Sequence, residues 1–210
     1  MTAAIVTRNA DGRILPRSFY AKETVSVARD LLGKLLVHGN CAGRIVEVEA
    51  YLGSGDRAAH SFRGLTERTR VIFGPPGHAY VYFIYGMYEC LNIVAERDGV
   101  AGCVLIRALE PVAGLEEMRA RRRPVKCDFE LANGPGKLTL AMGIDRSHYG
   151  LDLTRKGRMT VRDTGVGHPE IAVGTRIGIR ESTDLPLRFW LAGNPSVSRA
   201  YDSRPKASTK

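Results

Sequence analysis

The sequence predicts an α+β fold in a single domain, with a β-hairpin projecting from its sheet. Three observations predict it. Runs with the two-residue period of strands recur at residues 45–51, 80–85, 88–95 and 104–109. Only a few segments between them carry helical signals. No internal repeat and no Pro- or Gly-rich linker divides the 210 residues, a length that suits one sizeable core.

Residues 1–17 are expected to be a flexible N-terminal segment, residues 18–200 the domain, and residues 201–210 a basic tail. Ser18 is placed to cap a helix over residues 20–32, with Val25, Val27, Ala28, Leu31 and Leu32 on its apolar face and Gly33 ending it. Leu35-Leu36-Val37 begins a short strand. In residues 43–52, Val46, Val48 and Ala50 alternate with Ile45, Glu47, Glu49 and Tyr51. Side chains two apart on a strand share a face, so Glu47, Glu49 and Tyr51 project together, the two acids about 6.5 to 7 Å apart at the backbone. Two acids and a tyrosine on a strand that is apolar behind make a candidate site. A solvated strand face has the same pattern. The polar loop Gly53-Ser54-Gly55-Asp56 then leads to His60-Ser61 and a basic run with Arg63, Arg68 and Arg70.

Residues 80–85 and 88–95 are strand-like, and Gly86-Met87 between them fits a two-residue type II′ hairpin turn. That places Tyr85 and Tyr88 at the tip, either inserting into a partner or folding back onto the sheet. Residues 104–109 form a strand with one internal arginine, Arg107. Pro111 is placed to open a helix with Val112, Leu115 and Met118 inward, and Arg119, Arg121, Arg122 and Arg123 at its end suit the helix dipole. Asn133-Gly134-Pro135-Gly136-Lys137 starts another helix, through Met142. It lacks the spacing of a phosphate-binding P-loop, but a helix N-terminus beside Lys137 suits one backbone phosphate. Short strands are expected at residues 159–161, 175–179 and 187–191.

The formal net charge of +9 favours a polyanionic partner, nucleic acid first and an anionic membrane second. No apolar run approaches the length of a membrane span, and no secretory signal opens the chain. Cys41, Cys90, Cys103 and Cys127 lie far apart and read as reduced, mostly buried thiols of an intracellular, cytoplasmic protein (nucleoid-associated if bacterial), with no zinc site.

An ordered set of motifs adds to this. Glu47-Val48-Glu49-Ala50-Tyr51, His60-Ser61, Pro76-Gly77, Tyr80-Val81-Tyr82, Tyr85-Gly86-Met87 and Leu91-Asn92 are followed by Arg107-Ala108-Leu109-Glu110-Pro111 and Asn133-Gly134-Pro135-Gly136-Lys137-Leu138. The order resembles that of the alkyladenine, or 3-methyladenine, DNA glycosylases shared by vertebrates and bacteria, over residues 18–198. The resemblance implies one mixed domain around a curved antiparallel sheet, without metal or cofactor. It also implies a monomer acting on double-stranded DNA that carries a damaged purine.

Residue by residue, the resemblance makes Glu49 the carboxylate that acts on the attacking water, supported by Arg107 and, more loosely, by the carbonyl of Ile177. Tyr51 and His60 match one wall of a base pocket, and Tyr82 the wall opposite. Asn92 matches the floor residue that screens purines. Tyr85 matches a wedge pushed into the duplex, with Met87, Tyr88 and Lys137 expected beside it on the DNA. Thr66-Glu67-Arg68-Thr69 departs from the family's usual Thr-Pro-Arg-Asn, which bears on the DNA contacts of that loop. Glu47 is expected to be structural, paired with Arg44 or Arg107.

These residues suit base excision. A stacked base is out of reach and must be flipped into a pocket, which aromatic walls then hold. Two other readings remain: a sugar glycosidase using Glu47 and Glu49 as an acid/base pair, and a non-catalytic nucleic-acid-binding domain. The hairpin leaves a difficulty. With Gly86-Met87 as the turn, Tyr82 faces Leu91 and Asn92 points to the other face, so either a bulge shifts the strand by one residue, or the pocket straddles the strand edge, or Asn92 is a structural amide bonded to backbone.

Overall fold

The computed structural model describes residues 12–165 and 170–198. In chain order the elements are β1 (Arg13–Ile14), α1 (Arg17–Tyr20), α2 (Thr24–Leu31), β2 (Leu35–His38), β3 (Cys41–Leu52), β4 (Ala79–Ile84) and β5 (Tyr88–Val94). Then come β6 (Gly102–Ala113), α3 (Leu115–Arg121), α4 (Pro135–Met142), β7 (Met159–Asp163), β8 (Ile171–Gly174) and β9 (Arg188–Leu191). The strands form one curled antiparallel sheet in the order β1-β7-β2-β3-β6-β5-β4, and β9 joins β8 to β3. The expected mixed α+β architecture is what the chain adopts.

β3 is the middle of this sheet. One edge pairs with β6 along most of its length, while β2 and then β9 share the other. Val46, Val48 and Ala50 turn to the core, where α2 packs Val27, Ala28 and Leu31. Each such fully buried side chain contributes about 1.5 to 3 kcal/mol for a valine or leucine, so the period-2 pattern of β3 sets which face is left for chemistry.

Several local expectations are corrected. The helix over residues 20–32 is broken into α1 and α2, and Ser18 lies inside α1 rather than capping it. α2 is capped from far along the chain instead: Glu96 Oε1 accepts from the Thr24 N–H at 2.6 Å and the Thr24 hydroxyl at 2.7 Å. Pro111 does not open a helix; it lies in β6 opposite Gly43, where the ladder shifts register and a missing N–H is tolerated. The helix begins only after Gly114. Residues 175–179 form a loop after β8, because the Ile177 N–H and the Arg176 side chain are bound by carboxylates of other segments. Residues 12–17 are not loose: β1 pairs with β7, and Arg17 donates to Asp152 at 2.7 Å. Residues 1–11 and the basic tail lie outside the described residues.

The hairpin turn holds three residues, not two. Ile84 pairs with Tyr88, and the Met87 N–H donates to the Ile84 carbonyl at 3.2 Å. Tyr85 and Gly86 sit between them at φ 54° and 65°, the positive values that a type I′ turn needs at both central positions. The extra residue slides the register by one. Tyr82 faces Cys90 rather than Leu91, and Asn92 faces Tyr80. Asn92 therefore shares the face of Tyr80 and Tyr82, which removes the difficulty raised by a two-residue turn.

Candidate active site

The β3–β6 ladder is irregular where the acids lie. Ile45 faces Leu109, Glu47 faces Ala108, and Val48 faces Ile106, so Arg107 falls out of step. Such a bulge re-aims a side chain. Arg107 is thereby set between the two acids: Nε donates to Glu47 Oε1 at 2.9 Å, and one terminal nitrogen lies 3.1 Å from Glu49 Oε1. Both acids are fully buried, so β3 does not present a solvated face here. Burial opposes the charge of Arg107, but Glu49 and then Glu47 outweigh it and hold the guanidinium above its ordinary pKa.

The two carboxylates differ in their partners. Glu47 Oε1 also accepts from Arg188 Nε at 2.8 Å and the Ser198 hydroxyl at 2.9 Å, while Oε2 accepts from the Ser198 N–H at 2.6 Å. Arg44 pairs elsewhere, with Glu110 at 3.5 Å. Glu49 Oε1 accepts from the Ile177 N–H at 2.7 Å, and Oε2 from the Tyr51 hydroxyl at 2.9 Å. Burial, and next the negative Glu49, push the Tyr51 phenol far up, so its O–H stays a donor.

In front of this cluster lies a cleft of about 460 Å³. Tyr51, Arg107 and Ile177 form its back, and Glu49 sits directly behind them. Tyr82, His60 and Asn92 line the body, and Tyr85 and Tyr88 the mouth. Asn92 is 2% exposed and donates to the Tyr80 carbonyl at 3.2 Å. Tyr85 and Met87 stand out at the hairpin tip, 73% and 65% exposed. Tyr88 lies over Gly136, at the start of α4, so closely that a Cβ there would come within 2.6 Å of its ring. Lys137 reaches back to Asn133 Oδ1 at 2.8 Å.

His60 is not set across a slot from Tyr82. The two rings meet edge to face with centroids 4.6 Å apart, whereas a sandwiched base needs about 7 Å, twice an ordinary contact distance. His60 Nε2 faces Arg68 at 3.4 Å, and Nδ1 lies 2.9 Å from the Tyr80 hydroxyl. Arg68 can only donate, which puts the ring proton on Nδ1. Loss of water around the ring, then the Arg68 charge, pull the His60 pKa down to about 4.

Sequence reasoning missed four residues that hold the site. Arg188 and Ser198 complete the shell of Glu47. Asp56 and Arg176 form a fully buried two-bond pair at 2.6 and 2.8 Å, and the Arg176 guanidinium lies 4.7 Å from the Tyr51 ring centroid. Only the polar loop ending in Asp56 offered a local signal.

The sequence has known relatives. A family model described as methylpurine-DNA glycosylase (MPG) matches residues 18–195. The chain belongs to this family. Members are hydrolases of N-glycosyl bonds that act in base-excision repair. A relative from Methanoculleus marisnigri is 54% identical over 193 residues, covering 88% of this chain and 98% of its own length. One from Burkholderia lata is 50% identical, covering 89% and 92%. One from Chlorobaculum tepidum is 45% identical, covering 93% and 96%. All three carry the provisional name 3-methyladenine DNA glycosylase. The resemblance read from the ordered motifs thus held for the family and the enzyme class.

Proposed function

We propose that this glycosylase flips alkylated or deaminated purines, of the 3-methyladenine, 7-methylguanine and hypoxanthine class, out of duplex DNA. It then hydrolyses the N-glycosidic bond with a water activated by Glu49. The observation that carries this reading is the difference between the two acids. Each carboxylate oxygen has two acceptor positions. Glu47 holds four donors, three of them on Oε1, and its partners Arg188 and Ser198 do not line the cleft. The partners of Glu49, Tyr51, Arg107 and Ile177, all line it, and among the described contacts its Oε2 has the single partner Tyr51, which leaves that oxygen one position for the proton of a water entering from the cleft. Arg107 and the Ile177 N–H hold Oε1, which fixes the plane of the carboxylate.

The bond between the anomeric carbon and the base nitrogen breaks with its electron pair leaving on the base. Glu49 faces the positive charge that develops on the sugar and takes the proton of the attacking water. The product is an abasic site. Among the described residues no lysine lines the cleft to form a Schiff base with the sugar. Tyr85, at the tip, fills the gap left by the flipped nucleotide, and the basic surface holds the phosphates. Asn92, on the pocket face, is the floor against the C2 amino group of guanine.

The test is incubation with a duplex carrying one hypoxanthine, followed by hot alkali. The wild type should give strand cleavage. Glu49→Gln should bind the same duplex within a few-fold of wild type and cleave at least about a hundredfold more slowly, the scale of a lost general base. Cleavage by Glu49→Gln at the wild-type single-turnover rate would remove the assignment.

A further inference from the structure

Tyr82 lines two hollows. One is the cleft; the other, of about 580 Å³, opens beside β4 and is lined by Arg68, Phe83, Arg146 and Tyr149 among others. Arg68 belongs to the second hollow and not to the cleft. Its guanidinium carbon lies 5.4 Å from the Tyr82 ring centroid, and it also donates to His60 Nε2. A cation therefore lies over the ring assigned to hold the base, in a hollow outside the cleft.

We propose that Arg68 is a specificity-determining residue: its charge behind Tyr82 disfavours a cationic purine in the cleft relative to a neutral one. The inference rests on the base-excision reading above. An aromatic ring attracts a cation through its quadrupole. When one face already carries a guanidinium, a second cation stacked on the other is repelled across the ring. The separation is about 9 Å, from the 5.4 Å to the ring plus a stacking distance of about 3.5 Å. Arg68 is exposed, so solvent screens the pair; effective dielectrics of about 80 down to 30 give roughly a two- to eightfold discrimination. His60, whose Nε2 accepts from Arg68, stays neutral and adds no second cation to the wall, so the repulsion is carried by Arg68 alone.

The discrimination belongs to binding more than to bond breaking. A 7-methylguanine is positively charged in the nucleotide and neutral once the glycosidic electron pair has moved onto it. The Arg68 charge thus opposes its entry and not its departure.

Single-turnover excision at varied enzyme concentration separates these. Duplexes with 7-methylguanine (cationic) and hypoxanthine (neutral) are compared for wild type, Arg68→Gln and Arg68→Lys, reading the half-saturating enzyme concentration and the maximal rate for each. Arg68→Gln should lower the half-saturating concentration for 7-methylguanine relative to hypoxanthine by roughly two- to eightfold. Arg68→Lys, which keeps the charge, should keep the wild-type ratio. The proton-carbon NMR titration of His60 should move to higher pKa in Arg68→Gln. An equal change on both substrates and on undamaged duplex would mark Arg68 as a phosphate contact and overturn the proposal, as would a ratio that shifts as much in Arg68→Lys. A wild type that excises neither base would instead remove the base-excision reading itself.

Discussion

Glu47 and Glu49 are two residues apart on one strand, share a face and share Arg107, yet the shell around each assigns them different work. Glu47 neutralises two arginines at a fully buried position. Removing its charge leaves Arg107 and Arg188 under-compensated, a loss of about 3 to 5 kcal/mol for a broken buried pair. Glu47→Gln should therefore show its main effect as a lower denaturant midpoint, with single-turnover excision at saturating enzyme much less affected than in Glu49→Gln. A Glu47→Gln protein with wild-type stability would contradict this reading of the cluster.

His60 carries a pH dependence of definite sign. Unfolded, it titrates near its ordinary value of 6.5; folded, near 4. Between those values the unfolded chain binds more protons, so stability is present above pH 6.5 and is lost as the pH falls toward 4. Replacing His60 by Gln should flatten the fall in melting temperature across that window compared with wild type. Parallel curves for the two proteins would show that His60 contributes nothing there.

At the scale of elements, the hairpin and α4 form one unit. The turn sends Tyr85 outward, while Tyr88 is held down on Gly136. Because the clash would be with the Cβ, Cγ and Cδ1 atoms of Tyr88, and not with a flexible end, Gly136→Ala must move the hairpin or the helix. Such overpacking costs about 1 to 3 kcal/mol. The hairpin would be re-aimed as well, so Gly136→Ala should also weaken excision from a paired lesion. A variant crystal structure with Tyr88 in place would refute the coupling. The same unit explains why α4 begins where it does: Pro135 sits in its first turn and Gly136 admits the ring.

Across the whole molecule, the site is assembled from segments far apart in sequence. The Asp56–Arg176 pair ties the loop after β3 to the loop before β9, and both loops line the cleft, one through Arg57 and Ala58 and the other through Ile177. Asp56→Ala strands a buried arginine and releases the bond from the Leu52 N–H. A loss of about 3 to 5 kcal/mol in unfolding free energy is expected, accompanied by faster hydrogen exchange at the Ile177 amide. Unchanged exchange would mean that Glu49 alone holds that loop. The net charge of +9 acts at this scale too, as a field favouring a polyanion and not as a feature of any one contact.

Sequence alone determined what depends on near neighbours and on motif order. The alternation in β3 placed Glu47, Glu49 and Tyr51 on one face, the Pro–Gly signal placed the start of α4, and the ordered motifs placed the chain in its family. Tertiary structure decided whatever needed a distant partner. Glu96 caps α2 from 72 residues away, and Ser198 completes the Glu47 shell from 151 residues away, so neither leaves a local periodic trace. The turn at Tyr85-Gly86-Met87 lies between these cases. Its residues admit either a two-residue or a three-residue connection, and Asn92 can share the pocket face only with the second. What selects it is the pairing of Tyr82 with Cys90 and of Asn92 with Leu105 on β6, a choice made by the packed sheet because a one-residue slip would turn every side chain of β5 to the wrong face.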